Sequence, residues 1–361
     1  MNLNSNKVPR MVAALVLFIA SPLLAQNYTE VSELGLIGKM MPTSNPYHRI
    51  DTCAYPVPDR TENAQVRQST GMMVVFSTNS RSIKVRYRIA QSIDWGGAAP
   101  RATRGFDIYF KEGDSWGYAG GGNLTVGTYE GVTPLCENLD GTWHDCLVYL
   151  PISAELDNCQ IVTEPGSQIR TMENPFRHRI LFYGSSYTHG VGVTRAGMTY
   201  PSQFGRHTGF EVISLAMNGR CRMQSYITKA LCDAEADAFV FDTFSNSSGT
   251  LIRERLFPFI EEMKAAHPGV PLIFQQSIFC RKAKFNSATY KYKEGSMGAA
   301  SELMHEAVRR YSDVYFIVPT HEEPGVETTT DGSHPDNYGY TIWSRSIEGP
   351  ILDILSSYGI E

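Results

Sequence analysis

The hydrophobic pattern of this chain changes near residue 175, and that change limits the folds open to it. Before this point, short segments such as Ser82–Ile89 alternate apolar with polar side chains, and Gly, Asn, Asp and Pro clusters separate them. Strands of this kind bury one face and expose the other, so residues 26–174 are predicted to form an all-β sandwich or jelly roll. The predicted strands include Met72–Phe76, Ser82–Ile89, Gly105–Phe110, Trp116–Ala119, Cys146–Leu150 and Cys159–Thr163.

The second part of the chain, residues 175–361, alternates continuous apolar runs with segments of helical spacing. Continuous short runs are what strands buried on both faces require, so a doubly wound, three-layer α/β domain with a five-stranded parallel sheet is predicted. Gly349-Pro350 is expected to kink or restart the last helix, and Glu164–Pro175 is the expected linker. The five predicted strands are Arg179–Tyr183, Glu211–Ala216, Ala238–Asp242, Pro271–Gln275 and Val314–Val318.

The first 25 residues have the layout of a secretory signal peptide. Lys7 and Arg10 precede the apolar segment Met11–Ala20, and Ser21–Ala25 breaks it and ends on a small residue. Ten apolar residues are too few to span a bilayer, and no later stretch reaches that length. We therefore expect an exported protein, periplasmic or secreted, with no membrane span.

Composition narrows the classes of partner. With 361 residues, two domains are expected, and 42% hydrophobic residues exclude wholesale disorder. A net charge of −5 without basic runs argues against nucleic acid as a partner, and the oligomeric state stays open. The His, Cys and carboxylate residues lack metal-ligand spacing, so we expect neither a metal nor another cofactor.

The cysteine count is odd, so at least one thiol is unpaired. Export permits disulfides, and we expect packing residues with one or two bridges at most. Cys136 with Cys146, or Cys159 with one of these, are the favoured pairs because all three lie in one turn-rich region. The seven cysteines are Cys53, Cys136, Cys146, Cys159, Cys221, Cys232 and Cys280.

Two short segments carry residues suited to nucleophilic catalysis. Gly184–Gly190 follows the first α/β strand, at the sheet edge where ligands bind, and the first amides of the next segment there can stabilise an oxyanion. Asp331 and His334 stand three residues apart before the last helix. A serine hydroxyl needs a base such as histidine, and the histidine needs an acid to orient it.

These segments resemble the blocks of the SGNH/GDSL hydrolase superfamily, and the resemblance spans the second domain. Gly184–Gly190 matches the first block, which makes Ser186, not Ser185, the implied nucleophile. The resemblance also implies a flavodoxin-like three-layer fold, His334 as the base and Asp331 as the acid that orients it. The Ser186 and Gly219 amides and the Asn246 side chain are implied to form the oxyanion hole.

The third block departs from the common Gly-x-Asn-Asp, because Phe244 replaces the glycine and Ser247 the aspartate. A subfamily with an N-terminal β domain is more similar, since Asp242–Asn246 matches its Asp-x-x-x-Asn block. The Gly-x-Asp-Leu-Tyr pattern of that β domain resembles Gly105–Tyr109. We interpret Asp107 and Tyr109 within it as strand residues without a catalytic role.

Several further residues are candidates for substrate binding. His189 is expected to line the cleft or bind substrate rather than act as a second base. The sequence leaves open whether Tyr187, Phe244 and the Trp95–Gly97 loop belong to the core or stack on a sugar.

The resulting expectation is an exported serine esterase that removes short acyl groups, acetyl above all, from a small-molecule or polysaccharide ester. A metal-free Ser-His-Asp triad would act through an acyl-enzyme. A lipase or thioesterase for longer acyl chains and a non-catalytic carbohydrate-binding protein are the alternatives.

Overall fold

The structure is a computed structural model that describes residues 26–92 and 98–361. The predicted signal peptide and the Trp95–Gly97 loop lie outside the described residues.

The first part of the chain forms two antiparallel sheets, with strand orders β1-β9-β4-β7 and β10-β3-β8-β5-β6, and β2 pairs with β3. Two short helices accompany them, α1 at Arg60–Val66 and α2 at Pro100–Arg104, with a 3₁₀ helix at Val31–Glu33. Strands β1 to β10 are Asn27–Glu30, Gly35–Ile37, Met73–Thr78, Ile83–Ser92, Phe106–Glu112, Ser115–Gly122, Glu130–Cys136, His144–Tyr149, Ala154–Thr163 and Ile169–Thr171.

The two sheets pack face to face as a sandwich. Val74 and Phe76 of β3 share one buried cluster with Val85 and Tyr87 of β4 in the other sheet. The opposite face of β3 is also buried, because Val75 belongs to a cluster made with the second part of the chain. Burial on both faces explains why Met72–Phe76 is apolar throughout instead of alternating.

The second part of the chain is a five-stranded parallel sheet of order β12-β11-β13-β14-β15. Its strands β11 to β15 are Arg177–Gly184, Phe210–Ala216, Ala238–Asp242, Leu272–Gln275 and Val314–Ile317. Helices α3 to α8 are Ser186–His189, Tyr200–Thr208, Ser225–Cys232, Gly249–Ala266, Ser287–Arg310 and Asn337–Ser356, with 3₁₀ helices at Ala196–Met198 and Arg281–Phe285.

Helices cover both faces of this sheet, as successive side chains of β11 show. Leu181 and Tyr183 pack with residues of α5, α6 and α7. Ile180 and Phe182 point to the other face, where α4, α8 and the β sandwich cover them. The predicted combination of a β sandwich and a three-layer α/β unit is confirmed.

Helix α8 is continuous through the exposed Pro350, so the last helix does not restart there, and the kink stays a prediction. Two local expectations were wrong. The expected linker contains β10, which pairs with β3. All seven cysteines are free thiols, so the expected bridges among Cys136, Cys146 and Cys159 are not formed. These three side chains pack in the sandwich core.

No helix within residues 26–92 and 98–361 is long and apolar enough to cross a membrane.

Candidate active site

The strand order places three candidate residues at one edge of the parallel sheet. Strand β11 lies between β12 and β13, and the carboxyl ends of parallel strands share an edge. Ser186 follows β11, Gly219 follows β12 and Asn246 follows β13. The Ser186 turn is therefore flanked by the segments that carry the two other predicted oxyanion-hole residues.

The turn after β11 is tightly built. A Cβ on Gly184 would lie 1.9 Å from the Thr188 hydroxyl oxygen, so only glycine fits there. Ser185 caps α3, since its Oγ accepts a hydrogen bond from the Tyr187 amide at 3.2 Å. Ser186 is then the first residue of α3, and its N–H has no acceptor within the helix. This leaves a hydroxyl and an amide donor side by side at the strand end.

Asp242, the last residue of β13, fixes this turn through hydrogen bonds. Its Oδ2 accepts hydrogen bonds from the Ser185 amide (3.1 Å), the Ser185 hydroxyl (2.6 Å) and the Thr188 hydroxyl (3.1 Å). Its Oδ1 accepts one from the Ser245 hydroxyl at 2.7 Å. Complete burial raises the pKa of Asp242, and these hydrogen bonds offset part of that rise. Ser185 thus binds a carboxylate that the neighbouring strand β13 supplies.

The loop before α8 supplies the acid and the base as one unit. Asp331 Oδ1 accepts hydrogen bonds from the amides of Ser333 (2.8 Å) and His334 (2.7 Å). Its Oδ2 lies 2.8 Å from His334 Nδ1. The same carboxylate therefore closes the turn and orients the imidazole that the turn presents.

The imidazole bridges the two segments. His334 Nε2 lies 3.0 Å from Ser186 Oγ, and a proton on Nδ1 donated to Asp331 leaves Nε2 free to accept from the serine hydroxyl. Partial burial raises the pKa of Asp331, but the hydrogen bonds and charge of His334 outweigh it, and the net shift is downward. The carboxylate form is therefore favoured beside the imidazole.

The predicted oxyanion donors are placed as follows. Gly219 lies in a turn with φ of +69°, a conformation that favours glycine. The Asn246 side chain accepts a hydrogen bond from the Cys221 amide at 3.3 Å through Oδ1, which turns its amino group away from that amide. Asn246 is half-buried, so its amino group can serve a ligand at the sheet edge.

The residues predicted to bind substrate have different surroundings. The Tyr187 ring lies beside the imidazole, 5.5 Å from the His334 ring centre, and is 4% exposed. Phe244 is fully buried and stacks on Phe274 in the core, so it does not line the cleft. His189 is also fully buried, and its Nε2 lies 3.0 Å from the Ser153 hydroxyl of the β sandwich.

The Gly-x-Asp-x-Tyr segment, Gly105–Tyr109, begins one residue before β5 and contacts the α/β unit, which its sequence pattern alone did not indicate. Asp107 is fully buried, and its Oδ2 accepts hydrogen bonds from Arg195 Nη1 (3.0 Å) and the Gly197 amide (2.8 Å). Arg195 also donates to the Tyr109 hydroxyl at 2.5 Å. The motif fastens the segment between α3 and α4 to the β sandwich.

Sequence reasoning missed a buried lysine next to the site. Lys293 of α7 is 6% exposed, donates to the Ser277 hydroxyl at 3.1 Å and lies 5.4 Å from the Tyr187 ring centre. Burial lowers the pKa of Lys293, and its burial had no sequence signal because helix lysines are usually solvated.

Within the described ranges, no group of three or more His, Cys, Asp or Glu side chains is placed to hold a metal ion.

Family models match both parts of the chain. Residues 177–351 match the GDSL-like lipase/acylhydrolase family. Residues 26–169 match the model described as the N-terminus of SGNH-hydrolase-type esterases, named GxDLY. No functionally curated protein is a significant sequence match for the chain.

Solved structures resemble the chain over nearly its whole length. A protein of Bacteroides ovatus described as a GDSL-like lipase is 29% identical, with a TM-score of 0.88 over 92% of this chain and 98% of that one. The salicylyl-acyltransferase SsfX3 of a tetracycline biosynthetic pathway is 17% identical, with a TM-score of 0.69 over 91% and 98%. The acetyl xylan esterase Est2A of Butyrivibrio proteoclasticus is 10% identical, with a TM-score of 0.59 over 92% and 99%. The last two similarities concern the fold alone.

Proposed function

Because this chain is an ester-bond hydrolase of the SGNH/GDSL superfamily with a GxDLY-type N-terminal domain, we propose that it removes short acyl groups through a Ser186–His334–Asp331 triad. The observation that carries the proposal is the continuous contact from Ser186 Oγ to His334 Nε2 (3.0 Å) and from His334 Nδ1 to Asp331 (2.8 Å). Contacts of this length suit proton transfer from the hydroxyl to the imidazole.

The reaction proceeds in two halves. His334 Nε2 takes the Ser186 proton while Oγ attacks the ester carbonyl, and the resulting oxyanion accepts hydrogen bonds from the Ser186 and Gly219 amides and Asn246 Nδ2. His334 then protonates the leaving alcohol as the carbon–oxygen bond breaks. In the second half His334 deprotonates water as it attacks the acyl-enzyme carbonyl. The imidazolium then returns this proton to Ser186 Oγ as the acyl–oxygen bond breaks and the carboxylic acid leaves. Asp331 orients the imidazole and stabilises its charged form throughout.

The preferred acyl group in this proposal is acetyl, carried on a carbohydrate. The similarity in fold to an acetyl xylan esterase supports the same substrate class without identifying a polysaccharide.

The proposal extends to the organisation of the chain. Residues 1–25 are taken as a signal peptide that directs export to the periplasm or beyond the cell. The β domain is taken to span residues 26–174 and the hydrolase domain residues 175–361. Cleavage after Ala25 in the exported protein, measured by N-terminal sequencing, tests the first assignment.

An acyl-length series tests the proposed substrate. Purified protein is assayed on 4-nitrophenyl esters from acetyl to decanoyl, with Ser186→Ala as the inactive control and acetylated xylan as the polymeric substrate. Each buried CH₂ contributes about 0.8 kcal/mol, so a real acyl tunnel would raise kcat/KM steeply with chain length. We expect the highest kcat/KM for acetyl and a fall by octanoyl. A steady rise to decanoyl would establish the lipase alternative, and no hydrolysis by folded protein would favour a carbohydrate-binding role.

A further inference from the structure

The β domain completes the hydrolase sheet at the strand that leads into the Gly219 turn. Strand β12 is an edge strand, so carbonyls on its outer side have no strand partner. Arg49 supplies the hydrogen-bond donor that a neighbouring strand would supply, since its Nη1 donates to the Ser214 and Ala216 carbonyls at 2.9 and 3.1 Å. Arg49 is 1% exposed and donates as well to backbone carbonyls of its own domain, at Gln65 and Gln68. The edge of β12 is therefore held by a side chain from the other domain.

The same contact continues into the turn itself. Gln65 of α1 is fully buried, and its Nε2 donates to the Asn218 carbonyl at 3.0 Å. On the far side of Gly219, Glu62 of the same helix accepts a hydrogen bond from Gln224 Nε2 at 3.1 Å. Helix α1 thus forms hydrogen bonds with the chain on both sides of Gly219, at Asn218 and at Gln224.

The Gln65 contact acts directly on the peptide that carries the Gly219 amide. The Asn218 carbonyl and the Gly219 N–H belong to one planar trans peptide, in which they point in opposite directions. Fixing the carbonyl therefore fixes the direction of the N–H, and donation to the carbonyl polarises the peptide and strengthens that N–H as a donor. Among the described residues, and apart from the glycine and its two chain neighbours, nothing lies within 4 Å of the place a Gly219 Cβ would occupy, so packing on the glycine does not fix the peptide.

We propose that Gln65 is a positioning residue of the hydrolysis reaction, which aims the Gly219 amide at the oxyanion through the Asn218 carbonyl. The β domain then takes part in catalysis without touching substrate. The proposal rests on the proposed function, in which Gly219 is an oxyanion donor, and it assigns a role to a residue far from every hydrolase block in the sequence.

A neighbouring glutamine provides a matched control. Gln68 is also buried, and its Nε2 also donates to a backbone carbonyl, that of Ser153, at 3.2 Å. Both side chains have a buried Oε1 without a hydrogen-bond partner among the described residues. Gln68→Met and Gln65→Met therefore remove the same kind of bond, but only Gln65 contacts the Gly219 turn.

The experiment compares kcat, KM and thermal unfolding of wild type and both variants on 4-nitrophenyl acetate. Gln65→Met should lower kcat about tenfold with little change in KM, because an oxyanion donor is misaligned instead of removed. Gln68→Met should lose similar thermal stability and keep a kcat near that of wild type. Gln65→Met should also weaken binding of a boronic acid that forms a tetrahedral adduct with Ser186, by a similar factor, without weakening binding of the product acetate.

The outcomes separate the two proposals. If wild type does not hydrolyse the ester, or if Ser186→Ala is as active as wild type, the proposed function fails. If wild type passes and Gln65→Met matches Gln68→Met in kcat and in boronic acid affinity, only the role of Gln65 is overturned. If Gln65→Met does not fold, Gln65→Leu replaces it, since leucine is close in size to glutamine and has no hydrogen-bond donor; a wild-type kcat in that variant overturns the role.

Discussion

Removing the Asp107 carboxylate should weaken the attachment between the two domains strongly. Asp107→Ala leaves the Arg195 guanidinium and the Gly197 amide without their shared acceptor. Breaking a buried ion pair by deleting one partner costs about 3–5 kcal/mol. Arg195 keeps 19% side-chain exposure and its contact with the Tyr109 hydroxyl, so the lower end applies. We expect the free energy of unfolding to fall by about 3 kcal/mol.

Urea unfolding followed by fluorescence measures this change, with Asp157→Ala as the control. Asp157 pairs with Arg88 at 3.2 Å, but the two side chains are 39% and 54% exposed. An exposed pair contributes about 0.2–1 kcal/mol at most, so the control should unfold almost as wild type does. Equal loss of stability in Asp107→Ala and Asp157→Ala would refute the reasoning that burial makes the Asp107 contact strong.

Three further outcomes follow from the site. Asp242→Asn should lower kcat by about 10–100-fold, because an amide cannot accept all the hydrogen bonds that the carboxylate accepts from the nucleophile turn. Ser185→Ala should lower the free energy of unfolding by about 1 kcal/mol, because a helix cap is lost, and should affect kcat much less. Steady-state assays on 4-nitrophenyl acetate measure kcat of both variants, and urea unfolding measures their stability. Because, despite its partial burial, the hydrogen bonds and charge of His334 hold the pKa of Asp331 below its ordinary value, Asp331 stays ionised in mildly acidic solution, and the acid limb of kcat/KM should show one ionisation; two would contradict this. Burial, with the charge of Arg49, lowers the pKa of His189 from 6.5 to about 3. The unfolded chain therefore binds a proton at higher pH than the folded chain does, and the free energy of unfolding should fall as pH drops from 6.5 towards 3, by up to about 1.4 kcal/mol per pH unit. In a pH series of urea unfolding, His189→Gln should show a shallower dependence of stability on pH than wild type, and an unchanged slope would contradict the assignment.

The parts of the fold that the sequence predicted are those with strong local signals. Ala238–Asp242 is a continuous apolar run, and the structure has β13 at the same residues. Ser186 and His334 could be proposed as catalytic from the sequence because each stands in a short block beside a strand end or a helix start. Patterns of this kind involve residues that are close together in the chain, so the sequence alone reveals them.

The parts that were missed depend on contacts between distant segments. Nothing near Gln65 in the sequence indicates the Asn218 carbonyl, which lies 153 residues away. Periodicity could not tell that His189 and Phe244 face the interior. His189 ends the one-turn helix α3 and Phe244 lies in the loop after β13, so both segments are too short to show a period and their burial depends on what packs over them. The Asp107 contact with Arg195 likewise needs the domain interface to be known.

The most direct test of the central claim is covalent labelling by a fluorophosphonate, which reacts with an activated serine hydroxyl. Wild-type protein is incubated with the reagent, digested, and the modified residue located by mass spectrometry. We predict a single adduct on Ser186, formed far more slowly in His334→Ala and absent in Ser186→Ala. An adduct on Ser185 or another residue, or an ester-hydrolysing protein that takes up no label, would contradict the assignment of Ser186 as the nucleophile.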